Sequence, residues 1–128
     1  MKRTATHSDQ APQAIGPYSQ AVWSDDLLFL SGQTPIDPAT ASLIEGDIGE
    51  QTQRVFDNLL EVLKSAGLGF EHAIKLNVYL TDMADFAGMN EVYLKQFSSP
   101  FPSRTTVAVA GLPLGAKVEI EMVARKTP

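Results

Sequence analysis

The chain has no cysteine in its 128 residues and only two histidines, His7 and His72. Without a thiol there is no disulfide, no thiolate metal ligand and no cysteine nucleophile. That absence fits the cytoplasm, where thiols stay reduced and disulfides are not needed. There is no basic run either: Lys+Arg 10 against Asp+Glu 15 gives a net charge of −5, which weighs against a nucleic-acid surface. No apolar stretch approaches the roughly 20 residues that cross a bilayer. Met1-Lys2-Arg3-Thr4-Ala5 is not followed by an apolar segment, so neither a membrane partner nor a secretory signal is expected. What is present, 44% hydrophobic and 20% charged residues, is the composition of an ordinary globular protein. The length fits a single domain over residues 1–128 that buries roughly two-thirds of its unfolded surface.

Residues up to Ala14 are polar and read either as a short edge strand or as a loose arm. Ile15-Gly16-Pro17-Tyr18 is a turn feeding a strand over 19–24, and Asp25-Asp26 connects it tightly to Leu27-Leu28-Phe29-Leu30-Ser31-Gly32. The near-continuous apolar run of this second strand predicts burial on both faces. Asp47 and Glu50 have the spacing of a capping box. The helix they open carries Val55, Phe56, Leu59, Val62, Leu63 and Ala66 at helical period and stops at Gly67. From His72 to Leu80 the pattern alternates, with Ile74, Leu76, Val78 and Leu80 toward a core. Thr81-Asp82 caps a second helix with the stripe Phe86, Met89, Tyr93, Leu94 and Phe97, and Asn90 falls on that stripe. A buried amide there must find partners, so it braces a loop or lines a pocket. Strands over 104–110 and 117–125 follow, the latter with Val118, Ile120 and Met122 toward the core.

The order β-β-α-β-α-β-β predicts an α+β fold, a mixed β-sheet with two helices packed on one face. Tyr79, Thr106, Ala108, Ala110 and Val123 then fall on the uncovered face, which points to association with further copies of the chain. Phe101-Pro102-Ser103-Arg104 begins a strand, because proline favours an extended residue before it. Arg104 at that position suits a bidentate grip on a planar carboxylate. Glu119, in Lys117-Val118-Glu119-Ile120-Glu121, suits the handling of a proton or a water, while Glu121 reads as structural. If the last two strands form a simple hairpin, Arg104 pairs near Val123, and Glu119 lies roughly 13 Å along the strand. A different register, a bulge or a neighbouring protomer would then have to close the distance. His72 reads as exposed and inert, and Gly67-Leu68-Gly69 lacks the spacing of a phosphate loop.

Five motifs in order, Ile15-Gly16-Pro17-Tyr18-Ser19-Gln20-Ala21, Ser31-Gly32-Gln33, Asn90, Phe101-Pro102-Ser103-Arg104 and Val118-Glu119-Ile120-Glu121, resemble the Rid (YjgF) family over residues 15–125. Each is weak alone; the ordered set is specific. The match looks most like the imine-deaminase branch, whose signature arginine falls on Arg104. The resemblance implies a chorismate-mutase-like fold assembled as a homotrimer, with sites in the clefts between protomers. It implies hydrolysis of 2-aminoacrylate-type enamines, or their 2-imino tautomers, to 2-keto acids and ammonia, a detoxification of reactive metabolites. No metal and no cofactor are implied. Arg104 would clamp the substrate carboxylate, and Glu119 would activate the attacking water and move protons to the departing ammonia. Tyr18, Ser31, Gly32 and Asn90 match pocket positions. Thr106 stands where many relatives have cysteine, and it keeps the role if the backbone N–H is what matters. Two other functions compete: a 2-keto acid binding protein without turnover, and the ribonuclease or translation-inhibitor activity attributed to some family members. The acidic charge and the lack of a histidine pair or basic groove make the last the weakest.

Overall fold

A computed structural model describes residues 3–128. Eight strands and two α-helices are arranged as the α+β pattern requires. They are β1 (Thr4–Thr6), β2 (Ala21–Ser24), β3 (Leu27–Gln33), β4 (Ile36–Asp37), β5 (Ser42–Leu43), α1 (Ile48–Ser65), β6 (Ala73–Leu80), α2 (Phe86–Gln96), β7 (Ser103–Ala108) and β8 (Val118–Arg125). Six strands form one sheet in the order β1-β2-β3-β8-β6-β7, and β4 with β5 makes a separate two-stranded ribbon. β6 and β7 are parallel and every other pair is antiparallel. The sheet is therefore mixed. No helix of the described residues is long and apolar enough to cross a membrane.

Local chemistry explains the helix and turn positions. Asp47 accepts from the Glu50 N–H at 2.9 Å while Glu50 reaches back to the Asp47 N–H, so two otherwise unpaired donors at the start of α1 are satisfied reciprocally. Gly67 follows the helix at φ +76°, where a side chain would be strained, and its N–H bonds the Lys64 carbonyl. Asp25 takes φ 50° in the two-residue turn that pairs Ser24 with Leu27.

The core lies between the sheet and the two helices. Val55, Phe56, Leu59, Val62 and Leu63 of α1 are fully buried against Leu28, Leu76, Val78, Leu80, Val118 and Ile120. Phe56 is its aromatic hub, meeting Phe70, Tyr93 and Phe97 edge-on at 5.7–5.8 Å between ring centroids. Buried amides of α1 also fix the chain around the sheet. Gln51 accepts from the Lys117 N–H at 3.0 Å just before β8, and Asn58 donates to the Thr34 and Ile36 carbonyls. Gln20 ties down the N-terminal arm by bonding the Ser8 N–H, the Ser8 carbonyl and the Pro12 carbonyl.

Several sequence expectations are corrected. β3 is not buried on both faces: Leu28 and Leu30 are buried while Phe29 is 44% exposed. An antiparallel strand covered by helices on one side alone leaves alternate residues on the bare side. Ile74 is also exposed, because Ala73 pairs Ala124 and Lys75 already pairs Val123, which makes Ile74 the extra residue of a bulge. Leu94 of α2 is 57% exposed and off the core stripe. The last two strands do not form a hairpin: β7 bonds β6, with α2 as the crossover, and β8 is inserted between β3 and β6. Because Val78 pairs Thr106 and Leu80 pairs Ala108, those two side chains share the helix-covered face rather than the bare one. Ala110 lies beyond the strand. Tyr79 and Val123 are on the bare face as expected.

Truncating the aromatic hub should be costly. Phe56→Ala is expected to lower unfolding free energy by about 3–5 kcal/mol in denaturant titration. Leu94→Ala, at an exposed position, should stay within about 0.5 kcal/mol of the unmodified protein.

Candidate active site

Arg104 is the second residue of β7 and pairs with Leu76, so its side chain rises on the helix-covered face, at the sheet edge and beneath α2. One Nη1–H donates to Asn90 Oδ1 at 2.7 Å. The guanidinium carbon lies 4.6 Å from the ring centroid of Tyr93 and 5.4 Å from that of Phe86. Asn90 and Tyr93 are one helical turn apart on α2 and present one face. Two aromatic faces and an amide thus hold the cation. Among the described residues no carboxylate lies within 4.0 Å of it. Guanidinium carries five N–H donors in a planar fork, so most remain for a ligand. The fork opens on a groove of about 340 Å³ walled by Asn90, Tyr93, Leu94, Phe101, Pro102 and Arg104. Thr106 shares the Arg104 face, and its Oγ1 is buried without a hydrogen-bond partner. Burial raises the Tyr93 phenol above its ordinary range, against the opposing pull of Arg104.

Glu119 lies on the other face of the sheet. It pairs with Tyr79, two strands away from β7, while its neighbours Val118 and Ile120 are buried under the helices. Opposite it β3 carries a bulge: Leu30 pairs Met122 but Gln33 pairs Ile120, so Ser31 and Gly32 together oppose the single residue Glu121. The bulge brings backbone against the carboxylate. A methyl group on Gly32 would sit 2.8 Å from Glu119 Oε2, so only glycine leaves Glu119 where it is. Ser31 donates its hydroxyl to the Ser19 carbonyl at 2.7 Å, tying the loop that carries Tyr18 to the bulge. Burial, followed by the charge of Glu121, raises the Glu119 carboxyl above the usual carboxylate range.

Beside it, Glu121 Oε1 accepts from Tyr79 Oη at 2.6 Å and from Asn77 Nδ2 at 2.9 Å. The hydrogen bond to Glu121, then burial, then the charges of Glu121 and Glu119, push the Tyr79 phenol up to about 12. The sequence places Tyr79 on the uncovered face as an association contact and gives neither it nor Asn77 as a partner of Glu121, though the alternation of β6 puts both on the same face. Phe86 and Tyr93 were read only as packing residues. Their i, i+4 and i, i+3 relation to Asn90 was the available signal for the arginine cradle.

Within one chain the expected site residues therefore form separate groups. Arg104, Asn90 and Thr106 gather on the helix-covered face at the β7 edge. Gly32, Ser31 and Glu119 gather on the bare face. Tyr18 is 53% exposed on the loop before β2 and joins neither group. Among the described residues no cluster of three or more His, Asp or Glu side chains is placed to hold a metal ion.

The sequence profile described as Endoribonuclease L-PSP matches residues 8–126. Protein DfrA of Myxococcus xanthus is 52% identical over 126 residues, covering 97% of this chain and 96% of that protein. The 2-iminobutanoate/2-iminopropanoate deaminase of Bos taurus is 44% identical over 119 residues, covering 93% of this chain and 87% of that one. Among solved structures, E. coli TdcF with bound serine superposes with a TM-score of 0.89 at 38% identity, covering 97% of this chain and 99% of that one. The chain belongs to the Endoribonuclease L-PSP family, also known as the Rid or YjgF family.

Proposed function

We propose that this protein is a deaminase of reactive 2-imino acids, acting in the cytoplasm to remove products of 2-aminoacrylate chemistry. The reaction is addition of water across C=N and loss of ammonia, R–C(=NH)–COO⁻ + H₂O → R–CO–COO⁻ + NH₃. The observation that carries it is Arg104, a guanidinium held by Asn90 and two rings with no carboxylate among the described residues within 4.0 Å of it. Such a fork binds a planar carboxylate bidentately. The deaminase named among the relatives and the serine bound in TdcF favour a small α-substituted acid as the ligand.

Arg104 orients the substrate and draws on the electron-poor C2 carbon that an imine already presents. Glu119, its carboxyl raised above the usual carboxylate range by burial and by Glu121, is the group that exchanges protons with the substrate. It takes a proton from the attacking water and gives it to the imine nitrogen, which forms the tetrahedral carbinolamine. It then takes the remaining hydroxyl proton and gives it to the amine, so that ammonia leaves as the carbonyl forms. Because Arg104 and Glu119 lie on opposite faces of their own sheet, the site joins Arg104, Asn90 and Thr106 of one copy to Glu119, Gly32, Ser31 and Tyr18 of the next. We take the assembly to be a trimer. A 2-keto acid binding protein would use the same arginine without needing Glu119. Ribonuclease activity has less support: His7 pairs with the exposed Asp9, His72 bonds the Gly69 N–H, and the net charge is −5.

Freshly generated 2-iminopropanoate, with ammonia release followed by a coupled assay, tests this directly. Arg104→Ala and Glu119→Gln should each slow turnover on the order of 100-fold or more. Binding of 2-ketobutyrate should fall with Arg104→Ala and persist with Glu119→Gln. No acceleration over buffer, with 2-ketobutyrate still bound, would replace the enzyme by the binding protein. Gly32→Ala gives an independent check. Its methyl displaces the flexible end of Glu119, so turnover should drop about tenfold or more while stability changes by less than about 1 kcal/mol. Unchanged turnover would remove Glu119 from the chemistry.

A further inference from the structure

The bare face of the sheet carries a second carboxylate that the proposed reaction does not use. Glu119 and Glu121 are alternate residues of β8, so their side chains rise on the same face about 7 Å apart at the backbone. Glu121 is clamped. Asn77 lies directly across from it and donates at 2.9 Å, and Tyr79, across from Glu119, leans along β6 to donate at 2.6 Å. Both donors converge on one oxygen, Oε1, and an ionised carboxylate is the form that accepts two such bonds. Tyr79 spends its hydroxyl on Glu121 although its register partner is Glu119, which leaves Glu119 without a hydrogen bond from either β6 side chain.

The charged and titratable groups on this face are few. β6 contributes Lys75 and Tyr79, and β8 contributes Glu119, Glu121 and, at its far end, Arg125. β3 offers only Leu27, Phe29, Ser31 and Gly32, and β7 beyond β6 only Ser103, Thr105 and Val107. The Lys75 ammonium reaches Thr105 Oγ1 at 3.2 Å, on the side away from β8, and Arg125 is engaged with the Thr127 and Pro128 carbonyls. Among the described residues no cation bridges either glutamate.

We propose that Glu121, clamped by Tyr79 and Asn77, is a positioning residue that acts through Glu119, its fixed negative charge holding on Glu119 the proton that Glu119 exchanges with the substrate. Two carboxylates near one another cannot both ionise freely. The carboxylate clamped by two donors disfavours ionisation of the one facing the glycine bulge. The raised Glu119 carboxyl, with Glu121 as its second cause after burial, agrees with that effect. The turnover arm of the test rests on the deaminase reading; the titration arm does not.

The pH dependence of kcat/KM is compared for the unmodified protein, Glu121→Gln and Glu121→Asp, and the Glu119 carboxyl is titrated in each by carbon NMR on protein labelled at the glutamate carboxyls. Removing the charge eases ionisation of Glu119. Glu121→Gln should therefore move the Glu119 midpoint and the matching limb of the profile to lower pH by roughly half a unit or more, and Glu121→Asp should restore much of the shift. A uniform loss of rate with the limb and midpoint unmoved would mean that Glu121 only braces the sheet, and would overturn the proposal. Should Glu121→Gln fail to fold, Glu121→Thr removes the same charge with a strand-compatible side chain and should shift the midpoint in the same direction; no shift there has the same adverse meaning. If the unmodified protein shows no turnover, a shifted midpoint still supports the coupling of the two carboxylates while the deaminase reading fails by itself.

Discussion

β6 is bonded in parallel to β7 on one side and antiparallel to β8 on the other, and side chains alternate faces with a period of two. Leu76 therefore fixes Arg104 on the helix-covered face, and Tyr79 fixes Glu119 on the bare one. A slip of one residue in either pairing would move the respective group to the opposite face. That slip is opposed by burial of Leu76, Val78 and Leu80 beside Val118, Ile120 and Met122. The apolar residues that stabilise the fold thus also set where each functional group lies. They place the proposed carboxylate grip and the proposed proton carrier on opposite faces of the sheet.

Each half-site is built to tolerate an ionisable group that is only partly solvated. On the covered side, the guanidinium loses water but gains two aromatic faces and an amide oxygen, contacts that offset desolvation without neutralising the charge. On the bare side, the carboxylate of Glu119 sits against a glycine in a bulge, with a clamped carboxylate for a neighbour. One half stays charged and open to an anion; the other is biased toward holding a proton. Those are the two properties that the proposed hydrolysis of an imino acid would ask of the protein.

Much of this was legible in the sequence wherever the cause is local. The capping box of Asp47 and Glu50, the α1 stripe around Phe56, the stop at Gly67 and the alternation of β8 all depend on residues a few positions apart. The arginine and the glutamate were legible as chemistry. Their placement was not, because strand order in a sheet is set by long-range packing. A hairpin between the last two strands was the simplest local reading, yet α2 makes β6 and β7 a parallel crossover pair and β8 returns between β3 and β6. The same cause moved Thr106 and Ala108 to the covered face. Phe29 misled for a related reason, since an apolar residue on a bare sheet face looks in sequence like one in a core. The glycine of Ser31-Gly32-Gln33 matches a pocket position in the sequence, and the structure shows that the group against it is Glu119.

The separation of the two half-sites can be tested by mixing. Arg104→Ala and Glu119→Gln chains, each expected to be strongly slowed alone, are unfolded together, refolded at equal concentration and assayed on 2-iminopropanoate. If each site joins Arg104 of one copy to Glu119 of the next, random assembly gives about a quarter of the junctions both functional groups. Activity should then return to about that fraction of the unmodified protein. If one chain supplies both groups to a single site, every site in the mixture lacks one of them. Activity would stay at the level of the separate variants, and the division of the site across the sheet would be wrong.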